Sequence, residues 1–366
     1  MKHELSRSIQ SLRQAMLSNK LVVFAGAGIS MDSEVPSWGG LIEAMKGDLD
    51  GLGKETDFLK IPQLYYNQRG HKEYYDKLRD VLQPGKQLPN GIHKAILDLE
   101  PEHIITTNFD DLLEKEANQQ GRFYSVVKRD RDLPSAVSNR LIIKMHGDFQ
   151  HENLVLKEDD FLEYERNFPL IERTVQGLFA SRTILFVGIS FSDYNLKFIL
   201  QKVRNILDTS IRPAYFIAHE TLSVVQKDYL SKKGIFAIEM TSDLEKEIDP
   251  HMTVDIGPKR VKGVGVIKAL TLIKNFDRIV IAQQGGIWQK IKWELDLYAD
   301  LNAVPLDAIY QFQSVKELTN NGFQLNIKST ELFNWLRHLQ NWRSLKSRNE
   351  LKIEYTERIA TLKRAR

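Results

Sequence analysis

The chain has 366 residues, and its 51 Lys and Arg stand against 48 Asp and Glu for a formal net charge of +3. That near balance does not by itself indicate a nucleic-acid or membrane partner. The absence of cysteine excludes a disulfide, a thiolate nucleophile and a cysteine-held zinc ion. No apolar run approaches the ~20 residues of a membrane helix, and residues 1–12 lack the apolar region of a signal peptide, so we expect a cytoplasmic protein.

The first quarter of the chain combines helical periodicity with one short apolar strand. Residues 4–18 carry apolar side chains three and four apart, which predicts an amphipathic helix. The run "LVVFAG" at 21–26 predicts a buried strand, and a helix is expected to begin near Leu41 after a loop that contains Pro36. Residues 55–99 predict helices that are interrupted near "QPGKQLPNG".

Short β-branched and apolar runs follow between residues 103 and 240, and helical stretches separate several of them. Near-continuous apolar strands that alternate with helices are typical of a parallel sheet covered on both faces. We therefore predict a doubly wound, Rossmann-like α/β fold with helices on both faces over residues 1–245. Residues 246–366 predict a smaller, mainly helical C-terminal region that serves assembly, partner docking or regulation.

The first apolar strand runs directly into the glycine-rich turn "GAGIS", Gly26 to Ser30. Glycines between a strand and a helix expose backbone N–H groups to a pyrophosphate and remove the Cβ atoms that would block it. Met31 stands where the third glycine of a full G-x-G-x-x-G fingerprint would be. This segment alone is therefore equally compatible with a tight turn that binds nothing.

Three later strands also end in polar residues: "TTNFD" at 106–110, "KMHGD" at 144–148 and "VGIS" at 187–190. In an open α/β sheet, ligands bind outside the carboxyl ends of the strands. His146 is a candidate general base, because the pKa of histidine lies near neutrality. Each motif also has a simpler interpretation, since Asn108 or Asp110 could cap the next helix and a lone histidine after a strand is usually structural.

The four polar strand ends, in this order and spacing, resemble the sirtuin (silent information regulator) family of NAD-consuming enzymes. That family carries a G-A-G-I-S loop, a T-x-N-x-D strand end, an H-G histidine and a G-x-S strand end, and all four occur between residues 21 and 195. The resemblance implies that NAD is bound, that His146 is the general base, and that Asn108 positions the nicotinamide ribose or an attacking water. It also implies NAD-binding roles for Gly26, Ala27, Gly28, Ile29, Ser30, Asp110, Gly188 and Ser190.

The missing cysteines distinguish the chain from the sirtuin deacylases, which hold a small zinc module on four cysteines after the catalytic histidine. Its motif set is more similar to the sirtuin-like NAD hydrolases of bacterial antiviral defence. That likeness implies hydrolysis of the nicotinamide N-glycosidic bond, without a metal, to nicotinamide and ADP-ribose. A non-catalytic nucleotide-binding subunit and an NAD-dependent protein deacylase stay open as alternatives.

The resemblance also implies partners for the rest of the chain. Such hydrolases are kept silent until triggered, often beside a HerA-type ATPase or a short Argonaute, and we expect a homo-oligomer. Residues 343–366 carry eight Lys or Arg against three Glu. This composition predicts either a solvated helix packed on its own domain or a segment that docks on a partner protein or nucleic acid.

Overall fold

The computed structural model describes residues 2–189, 194–208, 212–218, 221–239 and 263–283. The chain divides into two compact units, 1–274 and 275–366, and the description of the second covers residues 275–283. The domain boundary predicted near residue 245, the site residue Ser190 and the basic segment 343–366 lie outside the described residues and stay predictions. No helix in the described part of the chain is long and apolar enough to span a bilayer.

Seven parallel strands form one sheet in the order β3-β4-β2-β1-β5-β6-β7. The strands are β1 (Leu21–Ala25), β2 (His103–Thr106), β3 (Ser125–Val127), β4 (Leu141–Lys144), β5 (Thr183–Val187), β6 (Ala214–Ala218) and β7 (Ile235–Glu239). From β1 the chain forms β2, β3 and β4 on one side of the sheet, with β4 inserted between β2 and β3, and then β5, β6 and β7 on the other side, which is a doubly wound arrangement. The predicted fold class is confirmed.

The α-helices are α1 (Lys2–Leu17), α2 (Trp38–Lys46), α3 (Lys60–Leu82), α4 (Gly91–Asp98), α5 (Leu112–Gln119), α6 (Glu158–Leu162), α7 (Tyr164–Asn167), α8 (Pro169–Ser181), α9 (Tyr194–Leu207), α10 (Val224–Ser231) and α11 (Val264–Gln283). Short 3₁₀ helices cover Ala27–Ser33 and Asp130–Ser135. The predicted interruption within 55–99 separates α3 from α4. Helix α2 begins three residues before Leu41, because Ser37 Oγ accepts the Gly40 N–H at 3.1 Å and caps its start.

Two apolar cores flank the region where the strands end. The larger core joins the sheet to α8 and α9, and the Phe24 and Phe186 rings of β1 and β5 lie 5.6 Å apart within it. The smaller core joins α2 and α3 to a stretch that follows β4, and buries Leu154 and Leu156.

Candidate active site

Four of the predicted motifs stand at neighbouring strand ends, because β4, β2, β1 and β5 are consecutive in the sheet. The glycine-rich turn follows β1, loop 107–110 follows β2, His146 lies two residues beyond β4, and Gly188 follows β5. Asn108 Nδ2 donates to Ser30 Oγ at 3.1 Å, and the Gly28 N–H donates to the Gly188 carbonyl at 2.9 Å. These contacts join the ends of β2, β1 and β5 directly.

The turn after β1 needs glycines because its backbone packs directly against the backbone of Gly188 after β5. A Cβ on Gly28 would lie 2.8 Å from the Gly188 carbonyl oxygen. Gly188 itself has a φ of +66°, and its Cβ would lie 2.6 Å from the Ile29 nitrogen. The N–H groups of Gly26 and Gly28 donate to the carbonyls of Val187 and Gly188. A phosphate at this turn would therefore take its hydrogen bonds from other donors than these two amides.

The remaining residues of the turn differ in accessibility. Ala27 is exposed, whereas Ile29 is fully buried. The Ile29 N–H donates to the Gly26 carbonyl at 3.2 Å. The binding roles predicted for these residues stay predictions.

Ser30 is fully buried and lies between two side chains that donate to it. Its Oγ is 3.1 Å from Asn108 Nδ2 and 3.3 Å from His93 Nε2. The Asn90 N–H donates to His93 Nδ1 at 3.1 Å, so the neutral imidazole carries its proton on Nε2 and donates to Ser30. Burial lowers the pKa of His93 to about 4, against an opposing effect of the Asp110 carboxylate. Ser30 then keeps its own O–H to donate to a third group.

Sequence reasoning did not single out Asn90 or His93. The available signal was "NGIHKAILD", where the two stand three apart at a helix start, the spacing of a capping box. Asn90 Nδ2 also donates to the Ile29 carbonyl at 2.8 Å and to Ser33 Oγ at 3.0 Å. The start of α4 is thereby bonded to the loop that carries Ser30.

Asn108 is 6% exposed and has one unsatisfied polar atom. Its N–H donates to Thr106 Oγ1 at 3.0 Å, and its Nδ2 donates to Ser30 Oγ at 3.1 Å and to Asp110 Oδ2 at 3.4 Å. Its Oδ1 is buried and has no hydrogen-bond partner among the described residues. A buried amide oxygen without a donor is costly, and a ligand hydroxyl or a bound water would satisfy it.

Asp110 bonds both to the start of α5 and to Asn108. Its Oδ1 accepts the Leu112 N–H at 3.2 Å, and its Oδ2 accepts from Asn108 Nδ2. The N-cap position of α5 is Asp111, so the bond to Leu112 is a local turn before the helix, and the NAD contact predicted for Asp110 stays a prediction. The Oδ2 of Asp110 holds the Asn108 amide on the side of Ser30.

His146 is 3% exposed and lies among aromatic rings. The ring centroids of Phe161, Phe109 and Tyr164 are 5.6, 6.5 and 6.5 Å from that of its imidazole. Phe109 follows Asn108 in the chain, so its ring carries a contact between the ends of β2 and β4. The surroundings of His146 are fixed and mainly apolar, which suits a base that must act on one water and exclude others.

The segment after His146 packs on α2 and α3 through apolar side chains. Gly147 has a φ of +71°, and a Cβ there would lie 2.3 Å from the Asn153 carbonyl oxygen, so the chain reverses too tightly for any side chain. Leu154 and Leu156 then enter the core of α2 and α3. This packing holds the His146 turn by hydrophobic burial.

Asp148 anchors the same turn by charge. Its carboxylate lies 2.6 Å from Lys128 Nζ and 2.7 Å from His151 Nδ1. Burial raises the pKa of Asp148, but the hydrogen bonds from Lys128 and His151 lower it overall. Within the described ranges, no three His, Asp or Glu side chains form a group that could hold a metal ion.

Comparison with known proteins agrees with this arrangement. Residues 102–238 match the model of the SIR2-like domain. Defense-associated sirtuin 2 of Bacillus subtilis is 35% identical over 245 residues, which cover 64% of this chain and 24% of that protein. NAD(+) hydrolase ThsA of Enterococcus faecium is 32% identical over 237 residues, which cover 62% of this chain and 48% of that protein.

A solved structure described as a Sir2 homologue in complex with NAD is also similar, with 14% sequence identity and a TM-score of 0.38. The alignment covers 73% of this chain and 94% of the chain in that structure. The matched part of the chain spans 24% of the first curated relative and 48% of the second. The match to the SIR2-like model includes the strand end with Asn108 and the turn with His146. The match to the SIR2-like domain model confirms the predicted resemblance to sirtuins over residues 102–238.

Proposed function

We propose that this chain is an NAD hydrolase, which cleaves the bond between nicotinamide and ribose and acts as a regulated effector in defence against phage. The similarity to proteins named NAD(+) hydrolase and defense-associated sirtuin supports this proposal. The observation that carries it is the unsatisfied, buried Oδ1 of Asn108 at the centre of the joined strand ends. An acceptor held in that state is prepared for a ribose hydroxyl or a water.

The reaction needs little acid catalysis, because the nicotinamide of NAD is a cationic leaving group. Its bond to the anomeric carbon breaks, water supplies the oxygen that bonds to that carbon, and one proton of the water is released to a base. In our proposal His146 takes that proton, and Asn108 Oδ1 accepts from the water or from a ribose hydroxyl. Asp110 and Ser30 hold the Asn108 amide at fixed distances, so the reacting groups are ordered before the substrate arrives.

The remaining binding roles follow the predicted site. We propose that Gly26, Ala27, Gly28, Ile29 and Ser30 lie along the dinucleotide, with Gly188 and Ser190 toward its phosphates. The exposure of Ala27 supports a ligand on this side of the turn. The enzyme would draw on the cytoplasmic NAD pool, which an unregulated hydrolase would exhaust.

Control of the activity is assigned to residues 246–366 in this proposal, through assembly as a homo-oligomer or through a partner such as a HerA-type ATPase or a short Argonaute. One described contact supports a link to the site. The Gly263 N–H donates to Asp32 Oδ2 at 3.1 Å, and a Cβ on Gly263 would lie 2.4 Å from Ile92 Cδ1. Asp32 lies in the same 3₁₀ helix as Ser30, and Ile92 precedes His93 in α4. The residue before α11 therefore contacts both the 3₁₀ helix that carries Ser30 and the helix that carries His93.

The test is product analysis of purified protein incubated with NAD, alone and with the protein encoded beside it. Nicotinamide and ADP-ribose are separated by chromatography for the wild type, Asn108→Ala and His146→Ala. Asn118→Ala and His71→Ala, at exposed helix positions, are the matched controls. We expect release by the wild type and both controls, and loss of at least about 100-fold in the two site variants.

The other outcomes separate the alternatives. NAD that binds but is never consumed, in any assembly state, contradicts hydrolysis and indicates a non-catalytic nucleotide-binding subunit. Consumption that requires an acylated peptide indicates a deacylase. Equal activity in Asn108→Ala and the wild type contradicts the site.

A further inference from the structure

A buried ammonium group lies against the loop that carries Asn108. Lys144, the last residue of β4, is 1% exposed. Its Nζ donates to the Phe109 carbonyl at 3.4 Å, to the Asp110 carbonyl, and to Glu114 Oε1 at 3.1 Å. Lysine is almost never fully buried unless its charge is paired, and it carries three N–H donors to satisfy. Lys144 meets both requirements.

The ion pair with Glu114 balances the charge of Lys144, but it does not explain the other two acceptors around the ammonium group. Two of the three acceptors are main-chain carbonyls of consecutive residues, Phe109 and Asp110. Those carbonyls belong to the peptide units on the two sides of Asp110. A single cation that bonds both of them restricts the orientation of that residue more than an ion pair at the helix surface would.

Lys144 also connects the carboxyl ends of β2 and β4. The pairing of β2 with β4 ends at Thr106 and Lys144, and the Met145 N–H donates to the Thr106 carbonyl at 2.8 Å. Lys144 spans from β4 to the loop beyond Thr106. His146 lies two residues further along the chain, so the same strand end carries the lysine and the candidate base.

We infer that Lys144 is a positioning residue, which fixes the peptide units around Asp110 and, through Asp110 Oδ2, the amide of Asn108. It thereby sets the separation between Asn108 and His146. The kinetic part of this inference rests on the proposed NAD hydrolysis. The structural part, an ordered loop 107–111, does not.

The test compares Lys144→Met, which keeps the length of the side chain without its donors, with Glu114→Gln, which keeps an acceptor for Lys144 without the charge. Three quantities are measured: kcat and KM for NAD, the melting temperature, and amide hydrogen exchange of residues 107–113 against β1. For Lys144→Met we expect kcat to fall about 100-fold with little change in KM, because the reacting groups are misplaced while most binding contacts remain. Exchange should rise at least about tenfold in 107–113 and stay unchanged in β1.

For Glu114→Gln we expect a lower melting temperature, because the buried ammonium loses its charge partner, but kcat and the exchange of residues 107–113 close to the wild type. Equal losses in Glu114→Gln and Lys144→Met would overturn the inference in favour of a simple ion pair, and so would wild-type kcat and exchange in Lys144→Met. If the wild type does not hydrolyse NAD, the proposed function fails, and the exchange data still decide on the loop. If Lys144→Met does not fold, Lys144→Leu, which also lacks the N–H donors and the charge, is judged by the same criteria.

Discussion

Replacement of His93 by Gln tests whether the imidazole at the start of α4 is held neutral by the fold. The Asn90 N–H donates to His93 Nδ1, and His93 Nε2 lies 3.3 Å from Ser30 Oγ. A protonated imidazole would place a second N–H against that of Asn90, so both hydrogen bonds cannot persist. Gln offers an N–H donor near the position of Nε2 but does not titrate.

The magnitude follows from the pKa of His93, which burial lowers from 6.5 to about 4 in the folded protein, with the Asp110 carboxylate opposing. Above pH 6.5 the imidazole is neutral in both the folded and the unfolded state. As the pH falls from 6.5 to about 4, the unfolded state takes up a proton that the folded state does not, so the free energy of unfolding decreases. At about 1.4 kcal/mol per pH unit, this loss reaches about 3 kcal/mol near pH 4.

At pH 7 we expect the wild type to be the more stable protein by about 1 to 2 kcal/mol, because His93→Gln leaves the Asn90 N–H without its acceptor. Near pH 4 the order should be reversed. Urea unfolding followed by circular dichroism at pH 7, 5.5 and 4 measures the difference. His93→Asn, which also cannot titrate, should show the same pH dependence as His93→Gln. A difference between wild type and His93→Gln that stays constant over this range would refute a neutral, buried His93.

Four further substitutions, one of them a control, probe the packing around the site. Gly188→Ala should lower the free energy of unfolding by about 2 to 4 kcal/mol in a urea titration, because the φ of Gly188 is +66° and a Cβ there would lie 2.6 Å from the Ile29 nitrogen. An unchanged midpoint of urea unfolding would contradict the close approach of the turns after β1 and β5. Leu156→Ala, in the core of α2 and α3, should lower the free energy of unfolding by about 2 to 5 kcal/mol. Its control Leu162→Ala, at a 74% exposed position, should change the free energy of unfolding by less than about 0.5 kcal/mol. Tyr164→Phe removes the hydrogen bond of 3.0 Å from the Tyr164 hydroxyl to the buried Met145 carbonyl, and should lower the free energy of unfolding by about 1 kcal/mol. A variant with a raised melting temperature would contradict a stabilising role of this bond.

The strands and their order of occurrence could be predicted from the sequence because a parallel sheet covered on both faces favours near-continuous apolar runs. "LVVFA" and "TILFV" are buried throughout, as expected. Polar residues directly after such runs are conspicuous, and that contrast identified Asn108, Asp110 and His146. Whether a polar residue caps a helix or faces a ligand was not decided there, and Asp110, just before α5, accepts the Leu112 N–H while it also holds Asn108.

Contacts between distant segments explain what sequence reasoning missed. His93 stands on an amphipathic helix, where its bond to Ser30, 63 residues away, leaves no local trace. Gly28 was interpreted through the needs of a phosphate, but its Cβ is excluded by Gly188 of another strand end. Lys144 ends an apolar strand, and its acceptors lie 30 to 35 residues earlier in the chain, in the loop after β2 and in α5.

The sequence by itself determined the fold class, the lack of any cysteine chemistry and the set of strand ends that could bear function, since each follows from local composition and periodicity. The tertiary structure decided which of those ends are neighbours, because strand order depends on side-chain burial across the whole sheet. It also decided that Ser30, His93 and Asn108 share one buried network and that Asn108 Oδ1 is left without a partner among the described residues. Hydrogen bonds in a buried site depend on distances of a few tenths of an ångström, and only packing sets these distances.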